Sequence, residues 1–313
     1  MEQLATPLLN GVIYGLLLFM VSAGLTLIFG MMGILNFAHA SFYMLGAYFA
    51  YALQDVFGFW PAIIVSPLLV GVVGILVERY ILRRVHRFGH AHELLITFGL
   101  SFIIVELVKL FFGNYPVNYR VPASLDFAAF TMGSLDYPAY RLFMGIVAIG
   151  MFVAIYLLLS RTRVGIVVRS AIHRPKMAEA LGHNVPRVFM GVFGVGAAMA
   201  GLAGAVAGAF YTTSPNMALE LGVLVFVVVV IGGLGSLEGA MLASLLIGIV
   251  TSVAVGIDAS LADFMALFGA GDLAREIGGI LVLKVSSLAA SLPFALMLLV
   301  LLVRPSGLMG DKE

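Results

Sequence analysis

Residues 161–187 read RTRVGIVVRSAIHRPKMAEALGHNVPR, a polar island between two long apolar runs. Six cations stand in it, Arg161, Arg163, Arg169, Arg174, Lys176 and Arg187, against one acid, Glu179. Pro175 and Gly182 bracket a short helical pattern. Proline suits the first helical position, where its missing N–H would be unpaired anyway. Glycine suits the residue past a helix end, where φ turns positive. Met177, Ala178 and Leu181 fall on one face at helical spacing. A helix of about two turns is not stable alone in water. It has to dock, either on its own membrane domain or on a soluble partner.

The runs on either side set the fold class. Of 313 residues 62% are hydrophobic and 11% charged, and the mean hydropathy is +1.12. No soluble domain buries that fraction, so the chain reads as an all-α polytopic membrane protein forming one bundle over residues 1–313. The net charge of +1 implies no nucleic-acid partner. With no cysteine there are no disulfides and no thiolate metal sites. The opening MEQLATPLLN has no basic residue and makes a poor signal peptide.

The first span is expected over about 8–31, with Gly11 and Gly15 spaced for close helix approach. The next, from Gly33 to Leu53, opens on Asn36, Phe37, His39 and Ser41. Polar groups at a glycine break are costly unless they face a cavity or protein. They read either as a broken helix lining a translocation path, or as a buried histidine bonded to a backbone carbonyl. A third span covers about 62–82 and leads into a basic loop, 79–93, holding His86, His90 and His92. Those histidines repeat no ligand spacing, so no metal site is assigned. The fourth span covers about 94–112, where Glu106 and Lys109 can pair on one face and read as a pair snorkelling near the outer end rather than as a substrate site. Residues 113–140 carry three prolines and read as an exposed loop with a short hairpin.

The fifth span, about 142–159, leads into the island, and the sixth covers about 188–210. Its two ladders, Ala200–Gly204–Gly208 and Ala197–Gly201–Ala205, predict tight packing on two faces. The run 221–250 is too long for one crossing of ~20 residues. Gly232, Gly233, Gly235 and Gly239, with Ser236 and Glu238, break it into a seventh and an eighth span. An acidic loop, 258–276, precedes a last span over about 288–303. The two glycine breaks, GILNFAHA and GLGSLEGA, fall in opposite halves of the chain. Such pairs mark midplane sites in transporters, which makes Gly233, Gly235 and Ser236 path candidates beside Asn36, Phe37, His39 and Ser41.

Charge sets the orientation. Loops 79–93 and 161–187 and the tail hold twelve of the 17 Lys and Arg. The positive-inside bias puts these in the cytoplasm and loops 113–140 and 258–276 outside. The N-terminus is then out, the C-terminus in, and the crossings odd in number, with nine expected.

Four stretches resemble the permeases of branched-chain amino acid ABC importers, of the LivH-like type. They are GLTLIFGMMGILNFAHASFYMLGAY, the island with MAEALGHN followed by GAAMAGLAG, VVIGGLGSLEGAMLASLLIG, and the terminal RPSGLMG. The resemblance implies a type II importer-like bundle of about eight to nine spans in a bacterial or archaeal inner membrane. It implies four companions in the lipid bilayer or beside it: a homologous second permease, two cytoplasmic ATPase subunits and an extracytoplasmic solute-binding protein. Substrates would be branched-chain or related amino acids, or small amides. By the same resemblance Ala178, Glu179, Ala180, Leu181 and Gly182 occupy the position that couples to the ATPase, with Pro175 and Met177 beside them.

The sequence has no G-x-x-x-x-G-K-[ST] phosphate loop, so ATP would be hydrolysed by partners and this chain would bind no cofactor. Two other classes remain. A stand-alone carrier or channel would act without an ATPase, yet the chain lacks an ionisable relay. An intramembrane enzyme would need a catalytic pair, and neither His39 nor Ser236 has one in the sequence.

Overall fold

The structure, a computed structural model, describes residues 2–132, 135–257, 259–266 and 271–310. Asp258 of the acidic loop and Lys312 of the tail lie outside the described residues. Among the described residues seven helical stretches are long and apolar enough to cross a membrane: 5–32, 59–85, 90–112, 139–161, 185–208, 237–256 and 285–303. The protein is an all-α polytopic membrane protein, as its composition requires.

Helix α1, Glu2–Met32, is 31 residues long and runs through the middle of the bundle. It packs most extensively on α11, Leu237–Gly256, and on α9, Val185–Gly208. The α1–α11 contact is made by glycine. A Cβ on Gly11 would stand 2.7 Å from Ile249 Cα, and one on Gly15 would stand 2.7 Å from the Ser244 carbonyl. The ladders of α9 face two neighbours, as their spacing predicts. Gly204 lies on the backbone of α2, His39–Phe57, where a Cβ would overlap the Tyr43 carbonyl, and Gly201 lies on Val70 of α3, Phe59–Val77. Small residues replace the hydrophobic drive that lipid does not supply.

Two regions depart from the sequence reading. The expected basic loop 79–93 is largely helical. Beyond α3 a π-turn, Glu78–Leu82, continues into α4, Arg83–Val85, and a 3-10 turn, His86–Phe88. After Gly89, at φ +92°, helix α5 begins at His90 and runs to Phe112. Arginines ride on the surface of a helix without ending it. In the basic island, too, a second helix precedes the expected one.

The loop after α5 carries the expected hairpin, β1 Ala128–Met132 against β2 Leu135–Pro138, with Phe130 stacked on Tyr137 at 5.1 Å. Tyr119 Oη donates to the Ala205 carbonyl at 2.8 Å and Tyr140 Oη to the Val206 carbonyl at 2.7 Å, tying this loop to the end of α9. Helix α6, Ala139–Arg161, follows. Past α9 come α10, Met217–Gly232, and α11. Then α12, Leu261–Ala266, and α13, Gly271–Ile277, lead to α14, Val285–Leu288, and α15, Leu292–Val303.

Candidate functional site

The first glycine break follows α1. Gly33, at φ +67°, ends that helix, and residues 33–38 climb back along it. Helix α2 begins at His39, six residues later than Gly33, where the sequence reading opened it. His39 is 1% exposed, and its Nε2 donates to the Val21 carbonyl at 2.9 Å. Val21 lies eleven residues before the end of α1, about 16 Å up the helix, so α2 starts deep within the bundle. Gly24 makes room for the imidazole: a Cβ there would stand 2.8 Å from His39 Cε1.

Asn36 is also buried, and its Oδ1 accepts from Ala38 N at 3.1 Å. Asn36 Nδ2 and His39 Nδ1 have no partner among the described residues. Unpaired buried groups of this kind cost about 1–3 kcal/mol each. Ser41 is buried too, its Oγ 3.5 Å from the Ser101 carbonyl of α5. Phe37 alone of the four turns outward. It stacks on Phe226 of α10 at 6.2 Å and meets Phe98 of α5 edge-on at 6.3 Å. The space between Asn36, His39, Gly222 and Phe226 is about 20 Å³, room for about one water.

The second break is closed. Gly233 and Gly235 stand at φ +100° and +87°, and Ser236 Oγ accepts from Gly239 N at 3.1 Å, capping α11. The tail docks onto the end of α10: Leu308 N donates to the Ile231 carbonyl at 2.8 Å and Met309 N to the Gly232 carbonyl at 3.0 Å. A Cβ on Gly307 would stand 2.6 Å from Gly233 Cα. The terminal RPSGLMG is therefore a plug for two orphan carbonyls of a helix end. Gly235 abuts Gly30 of α1, and with Ser236 it borders a cleft toward α6 rather than the Asn36–Phe226 space. The two breaks thus do not converge on one cavity.

The basic island folds as two helices. Thr162 Oγ1 accepts from Gly165 N at 3.2 Å and caps α7, Arg163–His173. The sequence reading missed α7 because its arginines interrupt a valine pattern. Pro175 then opens α8, Pro175–Ala180. Gly182, at φ +87°, closes it with two bonds, Gly182 N to the Glu179 carbonyl and His183 N to the Ala178 carbonyl, the Schellman pattern. The expected apolar face divides. Ala178 is 1% exposed and packs on Ala171 and Val185 of the chain itself. Met177 and Leu181, four apart, are 55% and 73% exposed. Ala178 is therefore no part of an outward surface, because it lies off the line that Met177 and Leu181 share. Glu179 and Ala180 are exposed as well.

A family model described as the permease component of the branched-chain amino acid transport system matches residues 8–302. The chain belongs to that family. It is 28% identical to the high-affinity branched-chain amino acid transport system permease protein LivH of Escherichia coli, over 97% of this chain and 94% of the relative. It is 27% identical to LivH of Salmonella typhimurium over the same shares. With the permease protein BraD of Pseudomonas aeruginosa it shares 26% identity over 98% and 95%. No solved structure matches significantly.

One group of this permease was not singled out as a site by sequence reasoning. Glu93, 1% exposed in the first turn of α5, accepts from His86 Nδ1 at 2.5 Å and His90 Nδ1 at 3.2 Å. Two of the three loop histidines so close on a carboxylate. Beside them Arg83 bridges Glu78 at 3.4 Å and donates to the Pro186 carbonyl at 2.8 Å, at the start of α9. The α4 turn is thereby tied to the segment that follows α8. The acid spaced seven residues from His86 is visible in the sequence, but its burial is not.

Proposed function

We propose that this permease is the membrane subunit of an ATP-driven importer for branched-chain or related amino acids. It pairs with a second, homologous permease, receives substrate from an extracytoplasmic binding protein, and is driven by two cytoplasmic ATPase subunits. The observation that carries the ATPase contact is α8: a fixed two-turn helix whose inner side is anchored by Ala178 while Met177 and Leu181 stand free. Two aliphatic side chains left in water on a basic rim suit a cleft on a soluble partner. Burying each contributes roughly 1.5–3 kcal/mol.

The inner membrane is the site that agrees with the charge bias. In this orientation the N-terminus is outside, the tail inside, and α8 cytoplasmic. If α2 and α10 cross with the seven long stretches, the crossings number nine. Cysteines placed at Ser124 and Arg174 of this cysteine-free chain should label from opposite sides of the membrane. Labelling of both from outside would overturn the orientation.

The coupling test is pull-down of ATPase subunits beside leucine-stimulated ATP hydrolysis in vesicles. Leu181→Asp should lose both, since it puts a charge in the cleft, and Met177→Asp should behave alike. Lys176→Ala, at the rim, should change little. Wild-type association and hydrolysis in Leu181→Asp would remove α8 from the coupling role.

A further inference from the structure

Helix α5 has two unlike flanks. One is aliphatic and exposed: Ile103, Leu107 and Leu110. The other carries Phe98, Phe102, Glu106 and Lys109 at spacings of four, four and three, one stripe along the helix. The buried side of α5, Thr97, Ser101, Ile104 and Val108, lies opposite, so the two flanks adjoin along the exposed face. The second stripe is on the side of Phe37, because Phe98 meets Phe37, and Phe37 meets Phe226 of α10. Phe98 and Phe102 touch at 5.0 Å.

Lys109 Nζ bonds Glu106 Oε1 at 2.7 Å, and the Glu106 side chain remains 67% exposed. Glu106 stands six residues before the end of α5, about 9 Å inside it, and about 12 Å beyond Phe98 along the axis. A carboxylate turned to hydrocarbon at that depth is expensive, and an intramembrane ionisable pair faces a protein-lined or aqueous space. The aliphatic side chains beside it suit lipid, and the ion pair does not.

We infer that Glu106 and Lys109 form an outer transit site for a zwitterionic amino acid, above an aromatic constriction made by Phe37, Phe98 and Phe226. The inference rests on the importer reading. The ligand ammonium takes Glu106 and its carboxylate takes Lys109, so one ion pair is exchanged for two and the net charge stays at zero. An aliphatic side chain then lies on Phe98 and Phe102. The constriction below holds it until the ring of Phe37, itself half exposed, moves aside.

The test uses the assembled transporter in vesicles, with leucine as probe. Glu106→Gln and Lys109→Met should each raise the leucine KM at least about tenfold, with ATPase association and thermal stability kept. The reversed pair, Glu106→Lys with Lys109→Glu, should recover more uptake than either reversal alone. A purely structural pair would move thermal stability and leave KM unchanged, which would overturn the site. So would wild-type KM and rate in both single variants. Thermal shift of the purified permease by millimolar leucine gives a second reading. A shift lost in Glu106→Gln supports the site even if the wild-type vesicles carry no leucine, a result that would sink the importer reading alone. No shift in wild type together with no uptake overturns the site as well.

Discussion

The two glycine breaks look alike in sequence and are built in opposite ways. After α1 the chain leaves Asn36 Nδ2 and His39 Nδ1 buried without partners among the described residues, beside a space for about one water. After α10 the loose ends are capped by Ser236 and by the tail, through Leu308 and Met309. Uncompensated polar groups make the first break easy to rearrange, and the paired backbone of the second makes it a latch. Glycine marks where a helix can stop. What fills the gap decides whether the stop moves.

The steepest loss is expected in the latch. Gly307→Val puts a branched side chain at φ +78° and into Gly233. The backbone strain alone costs about 1–3 kcal/mol and the overlap with Gly233 adds to it, so unfolding in detergent should begin several degrees lower. Asn36→Leu in the first break should do the reverse to the two readouts. It removes the unpaired Nδ2 together with the Oδ1 that accepts from Ala38 N, two effects of opposite sign, so thermal stability should stay within about 2 °C, while uptake falls about tenfold. If Asn36→Leu melts as early as Gly307→Val, both breaks are latches and the contrast fails.

Phe37→Ala loses two aromatic contacts of about 0.5–1.5 kcal/mol each. It should leave folding intact and raise ATP-independent leucine leak several-fold in vesicles; an unchanged leak would mean the ring closes nothing. The smallest effect belongs to Asp263, in the segment between α11 and α14. Bonds from Ser260 N and Oγ, and then Arg275, hold its carboxyl down at about 2, from an ordinary 3.8. Its contribution is complete above about pH 4 and is lost as the pH falls through about 2. Asp263→Asn should therefore loosen that loop slightly at neutral pH, by amide exchange, and match wild type in strong acid.

Much of this was legible in the chain itself. The long apolar runs gave the spans, the small-residue ladders of α9 gave its two packed faces, and Gly182 gave the end of α8. Other features depend on distant partners. Met177, Ala178 and Leu181 form one apolar group in sequence, and only Ala171 and Val185 show that Ala178 points home. The depth at which α2 begins is set by Val21, and the closure of Gly233 by residues seventy positions on. A one-dimensional pattern carries periodicity but not the neighbour that gives it a direction.

Helix α2 packs against α3, α9, α10 and α5, and most of its inner two-thirds is buried. It is not among the stretches apolar enough to cross a membrane by themselves. Its insertion therefore cannot be decided when it leaves the ribosome. With Gly58 alone between them, α2 and α3 must enter as a hairpin, and α2 stays uncovered until α9 is made more than a hundred residues later. A chain arrested at residue 184 should let a cysteine at Ala47 react, and a chain extended past Gly208 should hide it.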